Sequence, residues 1–545
     1  MSIGSLFVRI KNRLLLEVNA CLWRLKFRKF RSYAPTGGYG GTILFCDLMA
    51  MIAGVKFQSV LAAALAPKNW KVVVLLHRRD PIVEKLYLAT NKNIVFYYLD
   101  EYVGGESIET AEATVKAMMN EGSIGFEQLL NYQVNGIRVG RNALSIALRK
   151  LRSSTLDLSS TAHKVAVYDA LIESLKMVDA AKKLVNAVKP DRALFNERGY
   201  TPAGEVFDEC LVQGCDAIQW FGAPTSDALM FTRYNLRNRS RHPLSITDQT
   251  WDALNAEICK EELQSVVCGK IERNYDGAGW YNRQNLQEGK RFFSREELTI
   301  KLGIDPNKKT AVIFTHILYD ATFFYGESLF KDYHEWLIET VRCALENSNL
   351  NWLIKVHPVN VWRSKMDGAP LEQLEENALR DAFGELPDHI KILPADTKVN
   401  TWSLFELADF GLTVRGTVGM ELPCLGKPVI TAGTGRYSER GFTVDPATKD
   451  SYRQTLLDLH LFPTLSQKQT YLAQLYYYAS FFLRPYPLKK LQMDYQANTW
   501  GLRALSYDFK IDGAISSHDD LNEIKDLINW IVGDEEKDLL IGKSC

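Results

Sequence analysis

Short apolar runs alternate with helical patterns along most of this chain. Thr42–Cys46 (TILFC) and Lys71–Leu76 (KVVVLL) have the length and the β-branched content of buried strands. Gly54–Ala66, which lies between them, is predicted as a helix. Because strands separated by helices are typical of parallel βαβ units, the pattern predicts an α/β protein.

The alternation forms two blocks, separated by a polar stretch at residues 232–295. In the first block, Arg192–Asn196 is predicted as a strand and Lys164–Val188 as the longest helix. In the second block, Lys309–His316 is predicted as a buried strand and Tyr333–Glu346 as an amphipathic helix. We therefore expect two Rossmann-like domains that face each other across a cleft, with the polar stretch as a long connection.

The predicted domain boundaries follow these blocks. Residues 42–290 form the first domain with its connection, and residues 291–460 form the second domain. Residues 461–545 are predicted as an aromatic-rich helical tail, and residues 1–33 as a basic helix that precedes the first domain.

The N-terminal segment Ser5–Ser32 combines a basic charge with a helical apolar pattern. It contains eight Lys or Arg residues and a single acid, Glu17. Its apolar residues recur at helical spacing, namely Leu6, Ile10, Leu14, Val18, Leu22 and Leu25. Such a helix can lie on an anionic membrane face, or it can dock on the protein itself and leave its basic side in water. The sequence does not distinguish these two alternatives.

Composition narrows the class of protein. Sixty-five basic residues balance sixty-five acidic ones, which gives no support to a nucleic-acid partner. The nine cysteines include no Cys-x-x-Cys pair, so we expect reduced thiols in a cytoplasmic protein. No apolar run is long enough to span a membrane as a helix.

Three predicted strand ends in the second block have polar side chains suited to binding an anion. The first is Leu353–Pro358 (LIKVHP), which places Lys355 and His357 where the strand stops. Ligands of parallel α/β domains bind at such ends, and both side chains can donate to a diphosphate. Taken singly, His357 also fits a structural histidine at a strand end.

The second strand end is Thr413–Glu421, which contains the motif RGTVGME. Gly416 and Gly419 would let the backbone approach a ligand closely. Thr417 would cap the following helix, and exposed N–H groups there would attract an anion. Glu421 lies four residues later, on the same helix face, where its carboxylate could accept ribose hydroxyls.

Other side chains near these ends were assigned to the wall of the predicted cleft. Arg436 and Tyr437 belong to the third strand end, a glycine-rich loop that follows the strand PVITAG. His316 and Asp320 follow the first strand of the second block. Arg415 is predicted to contact the donor, although an exposed charge explains it equally well.

KVHP, followed by FGLTVRGTVGMELPCLGKPVITAGTGRYSERGFTVD, resembles the capsule-polysaccharide biosynthesis glycosyltransferases, the family that contains the bacterial Kdo transferases. The resemblance covers about residues 309–446. It implies a GT-B fold in which the C-terminal domain holds a nucleotide sugar, with His357 and Thr417 at the phosphates and Glu421 at the helix acid position. Pro423 departs from the family's usual alanine-rich helix start.

The resemblance also directs the search for a general base to the first domain, if the reaction inverts the anomeric centre. Asp47 and Glu197 follow predicted strands there, and a carboxylate beside an acceptor hydroxyl can take its proton. Each residue has a structural alternative, since Asp47 could cap a helix and Glu197 could pair with Arg192 or Arg198.

These observations lead to one functional hypothesis and two alternatives. We expect a cytoplasmic glycosyltransferase that moves a sugar from a nucleotide donor to a lipid-linked or growing surface polysaccharide. A peripheral position on the inner face of the cytoplasmic membrane is left open. No metal or other cofactor is predicted. A sugar-nucleotide epimerase of the same architecture and a non-catalytic scaffold of a polysaccharide assembly complex are the alternatives.

Overall fold

The structure of the 545-residue chain is a computed structural model. It describes residues 3–30, 38–120, 124–257, 263–276, 287, 289–361, 364, 370–494, 507–535 and 537–541. Within these residues, the chain forms two compact units, each with its own α/β sheet. The prediction of an α/β protein with two Rossmann-like domains is confirmed.

The strands, numbered in chain order, are β1 (Gly41–Cys46), β2 (Trp70–Leu76), β3 (Val95–Tyr98), β4 (Arg192–Phe195), β5 (Asp216–Gly222), β6 (Ala228–Tyr234), β7 (Thr310–Phe314), β8 (Asn351–Lys355), β9 (Ile390–Leu393), β10 (Phe410–Thr413), β11 (Val429–Thr431), β12 (Tyr486–Pro487), β13 (Leu491–Asp494) and β14 (Asp508–Ile511).

The α-helices are α1 (Ile3–Lys26), α2 (Ile52–Leu65), α3 (Pro81–Leu88), α4 (Gly105–Asn120), α5 (Phe126–Leu130), α6 (Val139–Leu151), α7 (Thr161–Val188), α8 (Ala203–Val212), α9 (Asp248–Glu257), α10 (Leu263–Tyr275), α11 (Arg295–Leu302), α12 (Tyr333–Glu346), α13 (Leu374–Phe383), α14 (Thr401–Leu407), α15 (Val418–Cys424), α16 (Lys449–Leu457), α17 (Gln467–Tyr478) and α18 (Lys525–Val532).

Unit 1 comprises Met1–Ala143, Tyr168–Arg239 and Pro485–Leu540. Its sheet has the strand order β12-β6-β5-β4-β1-β2-β3, in which β3, β2, β1, β4 and β5 run parallel. β6 and β12 extend the sheet in the antiparallel sense. Apolar residues of the strands pack with those of α7 and α8 in one core, which explains why these strands read as continuous apolar runs.

Unit 2 comprises Leu144–Val167, Ser240–Arg484 and Ile541–Cys545. Its five strands are all parallel and have the order β11-β10-β7-β8-β9. Aromatic residues of α12, including Trp336, pack with strand residues such as Trp352 in the core. In each unit the first strand, β1 or β7, is the middle one of five parallel strands. The next two strands in the chain lie on one side of it, and the two that follow lie on the other side.

Two segments differ from the sequence-based assignment. The stretch at 232–295 is not only a connection, because it contains the end of β6 and the helices α9 and α10, and its larger part belongs to unit 2. The tail is not purely helical, because β12, β13 and β14 follow α17. Pairing of β12 with β6 returns the chain to unit 1. Short strands with few apolar residues leave a weak sequence signal, which explains the difference.

The first helix, α1, is present where the sequence predicts it. Among the described residues, no helix is both long and apolar enough to cross a membrane.

Candidate functional site

The candidate site lies at the carboxyl ends of β7 and β10 in unit 2. β7 is the central strand, with β10 on one side and β8 on the other. The connection from β7 leads to β8, whereas β10 lies on the opposite side, so the two strands define a topological switch point. Loops diverge at such a point and leave room for a ligand. His316 follows β7, and Arg415 to Thr417 follow β10.

His316 connects the two loops. Its Nε2 lies 3.2 Å from the backbone nitrogen of Val414 and 3.3 Å from that of Arg415, and it accepts both N–H groups. The Thr413 hydroxyl oxygen lies 3.1 Å from the same atom. The imidazole also stacks on the ring of Tyr333, with centroids 4.4 Å apart. Because Nε2 acts as an acceptor, the neutral ring has its proton on Nδ1.

Cationic side chains surround this imidazole. Burial lowers the pKa of His316 well below its ordinary value, and Arg415, His357 and Arg436 lower it further by charge repulsion. We call Arg415 and Arg436, with the neutral His316 and the neighbouring His357, the cationic cluster. The positive field at this switch point is suited to an anionic ligand, whose charge would offset the mutual repulsion.

Arg415, in the loop that follows β10, is buried and bonds to the segment that follows β7. Its guanidinium donates to the carbonyl oxygens of Tyr325 and Glu327 and to the Ser328 hydroxyl. It also lies over the Tyr333 ring, 5.7 Å from the centroid. With both terminal nitrogens of its guanidinium bonded to the chain itself, Arg415 contributes charge to the cationic cluster. The alternative of an exposed charge is wrong, because the side chain is only 3 % exposed.

The two polar residues of the LIKVHP motif separate in the structure. The backbone N–H of His357 donates to the Thr315 hydroxyl, and its Nδ1 accepts the N–H of Val359 at 3.2 Å. Lys355 is 4 % exposed, and its Nζ donates to the Val356 carbonyl at 2.6 Å. Burial lowers the pKa of Lys355 well below its ordinary value, and Lys290 adds to this effect. Lys355 is therefore not positioned to present an ammonium group to a phosphate.

The glycines of the RGTVGME motif serve packing within unit 2. A Cβ on Gly419 would lie 1.8 Å from the hydroxyl oxygen of Tyr437. That hydroxyl donates to the Gly416 carbonyl at 2.8 Å, while the Gly416 N–H donates to the Thr413 hydroxyl at 3.1 Å. Gly419 is thus needed for the approach of a tyrosine rather than of a ligand. Tyr437 itself is buried and does not line an exposed surface.

Thr417 occupies the N-cap position of α15, but its side chain forms no capping hydrogen bond. The prediction that it caps the helix is wrong, because Thr417 has the helical dihedral angles φ −59° and ψ −28° instead of an extended conformation. The residue is half-buried. Pro423 lies within α15, which has only seven residues.

Glu421 lies in the interior, 0 % exposed. Tyr275, the last residue of α10, donates its hydroxyl to this carboxylate, with oxygen distances of 3.0 and 3.1 Å to Oε1 and Oε2. A ribose could reach the same oxygens only after the Tyr275 hydroxyl moved. The ribose contact of Glu421 stays a prediction.

The remaining residues assigned to the cleft wall are half-buried. Arg436 contributes its charge to the fields at both His316 and Tyr333. Asp320 contributes the opposite charge at Tyr333 and lies 3.8 Å from Arg149. His316, Arg436 and Asp320 are therefore close enough for their charges to act on the same or adjacent groups.

The two candidate bases belong to the corresponding switch point of unit 1. Asp47 follows β1, and Glu197 follows the adjacent strand β4. Asp47 is 6 % exposed and accepts the Tyr87 hydroxyl at 2.9 Å. Glu197 is half-buried, and its Oε1 accepts the N–H groups of Arg198 and Gly199 at 2.7 and 3.0 Å.

The structural alternatives for these carboxylates were a helix cap for Asp47 and an ion pair with Arg192 or Arg198 for Glu197. Asp47 does not cap α2, whose N-cap residue is Met51. The guanidinium of Arg198 lies over the rings of Phe207 and Tyr234, and that of Arg192 bonds to Asp534. Neither arrangement follows from sequence neighbours, because the partners come from distant parts of the chain.

Sequence reasoning missed three residues that shape these sites. Tyr275 was placed in a connection, although it binds Glu421. Thr315 was only part of a strand pattern, yet its hydroxyl accepts the His357 N–H. Glu205, on α8, is fully buried and bonds to the Thr201 hydroxyl at 2.9 Å, and burial raises its pKa to about 7. The sequence did contain a signal for Glu205, because its carboxylate lies between apolar residues of a predicted helix.

Comparisons with known proteins give distant structural similarities. No protein-family model matches the chain, and no curated protein matches it. A β-Kdo 2,4-transferase, KpsC of Thermosulfurimonas dismutans, aligns at 14% identity over 63% of this chain and 86% of its own, with a TM-score of 0.30. The UDP-GlcNAc 2-epimerase of Neisseria meningitidis, bound to UDP-GlcNAc, aligns at 12% identity over 80% of this chain and 95% of its own, with a TM-score of 0.27.

A glycosyltransferase from Rickettsia africae aligns at 11% identity over 82% of this chain and 94% of its own, with a TM-score of 0.26. At such TM-scores the superpositions are poor. We therefore draw neither fold nor activity from these structures, and the assignment of function depends on the site itself.

Proposed function

We propose that this protein is a glycosyltransferase that binds a nucleotide-sugar donor in unit 2. It transfers the sugar to a lipid-linked or growing surface polysaccharide. The observation that carries the proposal is the cationic cluster at the switch point of β7 and β10. A donor has one or two phosphates between its nucleoside and its sugar, and these phosphates need a positive field while the nucleotide leaves.

Within this cluster, the roles differ from residue to residue. His357 and Arg436 are half-buried, so each residue keeps part of its surface exposed. They are assigned to direct phosphate contacts, with Thr417 as a further donor. Arg415 and His316 are assigned no direct contact with the phosphates, because both side chains are hydrogen-bonded to the loops that follow β7 and β10. Lys355 is left out of this assignment, because it is buried.

The kind of ligand is supported by sequence as well as by charge. Three residues of the cluster, His357, Arg415 and Arg436, belong to the motifs that resemble the capsule-polysaccharide glycosyltransferases, namely KVHP and the stretch from FGLTVRG to GRYSERG. A surface polysaccharide as acceptor rests on this resemblance.

A carboxylate of unit 1 is assigned as the general base of an inverting transfer. Glu197 is favoured over Asp47 because it retains more exposure to solvent. Asp47 would first have to lose its contact with the Tyr87 hydroxyl. A base must reach the proton of the acceptor hydroxyl directly or through one water molecule.

A panel of nucleotides tests the donor site. Thermal unfolding is measured with CMP, UDP, GDP and CDP for the wild type, for His357→Ala and for Arg436→Gln. The protein should be stabilised by one nucleotide, by about 2.7 kcal/mol at a concentration of a hundred times Kd, and both variants should lose most of this gain. Arg342→Gln is the control, because it removes an exposed charge that pairs with Glu339 in α12.

Activity then separates the enzyme classes. The sugar conjugate of the stabilising nucleotide is incubated with and without a glycan acceptor. Sugar transfer that requires the acceptor supports the proposal. Epimerised sugar nucleotide formed without any acceptor would assign the site to an epimerase. If no nucleotide of the panel stabilises the protein, the donor site is contradicted and a scaffold is favoured.

A further inference from the structure

The helix α1 exposes an unusual concentration of apolar side chains. Six large apolar residues on this helix are at least 41 % exposed, and no other helix or strand of the described chain has more than one such side chain exposed at 36 % or above. We call the six the outer stripe: Ile10, Leu14, Leu15, Val18, Leu22 and Leu25. Leu6 of the predicted stripe lies outside the described side chains.

The opposite face of the same helix holds it on unit 1. Leu16, Ala20 and Trp23 are buried there. Trp23 Nε1 donates to the Ser59 hydroxyl at 3.2 Å, and Asn19 Nδ2 donates to Asp508 at 3.2 Å. Apolar packing and polar bonds together fix the orientation of the helix, so the outer stripe is presented to solvent by a docked element and not by a frayed end.

Helical geometry separates the two faces. At about 100° per residue, the six residues of the outer stripe cover an arc of about 140°, and Leu16, Ala20 and Trp23 lie on the other side of the helix. A helix at the surface of a globular protein normally needs only one apolar arc, which faces the core. The second arc of α1 has no role in the packing of unit 1.

The charges around the outer stripe are basic. Lys11, Arg13 and Arg24 are exposed on the helix, and Arg28 and Lys29 follow its end. The one acid of the helix, Glu17, pairs with Lys85 of α3 at 2.9 Å, so that its charge is offset by the protein itself. Basic side chains on and beside an exposed apolar arc complement a surface that is both anionic and apolar beneath its charges.

We propose that α1 binds the surface of a lipid bilayer that contains acidic phospholipids. The outer stripe enters the boundary between head groups and acyl chains, while the flanking Lys and Arg residues contact the anionic head groups. Unit 1 is thereby held at the membrane surface. Both alternatives for this segment then apply together, since one face docks on the protein and the other on the lipid.

Vesicle cosedimentation tests this surface with the full-length protein. Vesicles of phosphatidylcholine with 30 mol % phosphatidylglycerol are compared with vesicles of phosphatidylcholine alone, at low and high salt. The wild type should bind the anionic vesicles, and binding should fall several-fold in 0.5 M salt. Leu14→Ser/Leu22→Ser should weaken binding at least tenfold, and Arg13→Gln/Arg24→Gln should remove the preference for anionic lipid.

The control variant Ile300→Ser/Leu461→Ser removes two exposed apolar side chains from unit 2 and should bind as the wild type does. Circular dichroism and thermal unfolding show whether each variant retains the fold. The proposal is overturned if the wild type does not bind anionic vesicles or if the Leu14/Leu22 variant binds them equally well. The proposal is also overturned if the protein does not bind vesicles but forms a dimer that is lost in the Leu14/Leu22 variant. The outer stripe would then bind a second copy of the chain.

Discussion

The hydroxyl of Tyr275 donates to the carboxylate of Glu421, at 3.0 Å from one oxygen and 3.1 Å from the other. Both residues are buried, and they join α10 to α15 within unit 2. The contact occupies the atoms that a ribose would use. It therefore links the stability of the ligand-free protein to the predicted binding of the donor.

Replacement of Tyr275 by phenylalanine should lower the free energy of unfolding by about 1–3 kcal/mol, because the buried Glu421 carboxylate loses the hydrogen bond from this hydroxyl. Chemical denaturation measures this loss. The double variant Tyr275→Phe/Glu421→Gln should be destabilised by less than the sum of the two single variants, since the two side chains share one interaction. Additive effects would mean that the contact contributes nothing to stability.

His357→Ala should abolish sugar transfer while the protein keeps its fold. The side chain belongs to the cationic cluster, and its loss removes a donor to the phosphates of the leaving nucleotide. Initial rates with the donor that the nucleotide panel identifies measure the effect, and a loss of a hundredfold or more is expected. Turnover at the wild-type rate would show that His357 has no part in the reaction.

His316 should make the protein less stable in mild acid. Its pKa is lowered in the folded state, so below about pH 6.5 the unfolded chain binds a proton that the folded chain does not. The free energy of unfolding should then fall by up to about 1.4 kcal/mol per pH unit from this group. His316→Gln, which keeps an acceptor near the position of Nε2, should show a shallower slope in denaturation curves between pH 4.5 and 7.5.

The same imidazole reports on the ligand. An anion bound at the cationic cluster would offset the charges of Arg415, His357 and Arg436, so the pKa of His316 should rise when a nucleotide binds. NMR titration of labelled histidine with and without the nucleotide measures this change. An unchanged His316 pKa at saturating nucleotide would place the bound phosphates elsewhere.

Glu205 should have the opposite effect, because it should make the protein less stable as the pH rises. Burial raises its pKa from 4.5 to about 7, so the folded protein retains a proton that the unfolded chain releases between these values. The stability contribution is complete below pH 4.5 and is lost as the pH rises to about 7, by about 3 kcal/mol at most. Glu205→Gln keeps an acceptor for Ser174 and Thr201 and should remove this decline, which denaturation at pH 5 and pH 8 can measure.

The order of strands and helices could be predicted from local patterns, because a buried parallel strand must be apolar along its whole length. β1, β2, β4, β7 and β8 all appear at the predicted places for this reason. β6 and β12 were missed, since an antiparallel edge gains its stability from pairing with a neighbour that local sequence does not reveal.

For the candidate site, the sequence determined which residues follow each strand. His316, His357, Arg415 and Arg436 come together because parallel strands end at one edge of a sheet. Only the tertiary structure decided which side chains stay partly open to solvent. Lys355 and Glu421 are covered by partners distant in sequence, and the arc of α1 that docks on unit 1 is not the arc with the regular apolar repeat. Burial depends on what packs from elsewhere in the chain, and periodicity along a single element cannot supply that information.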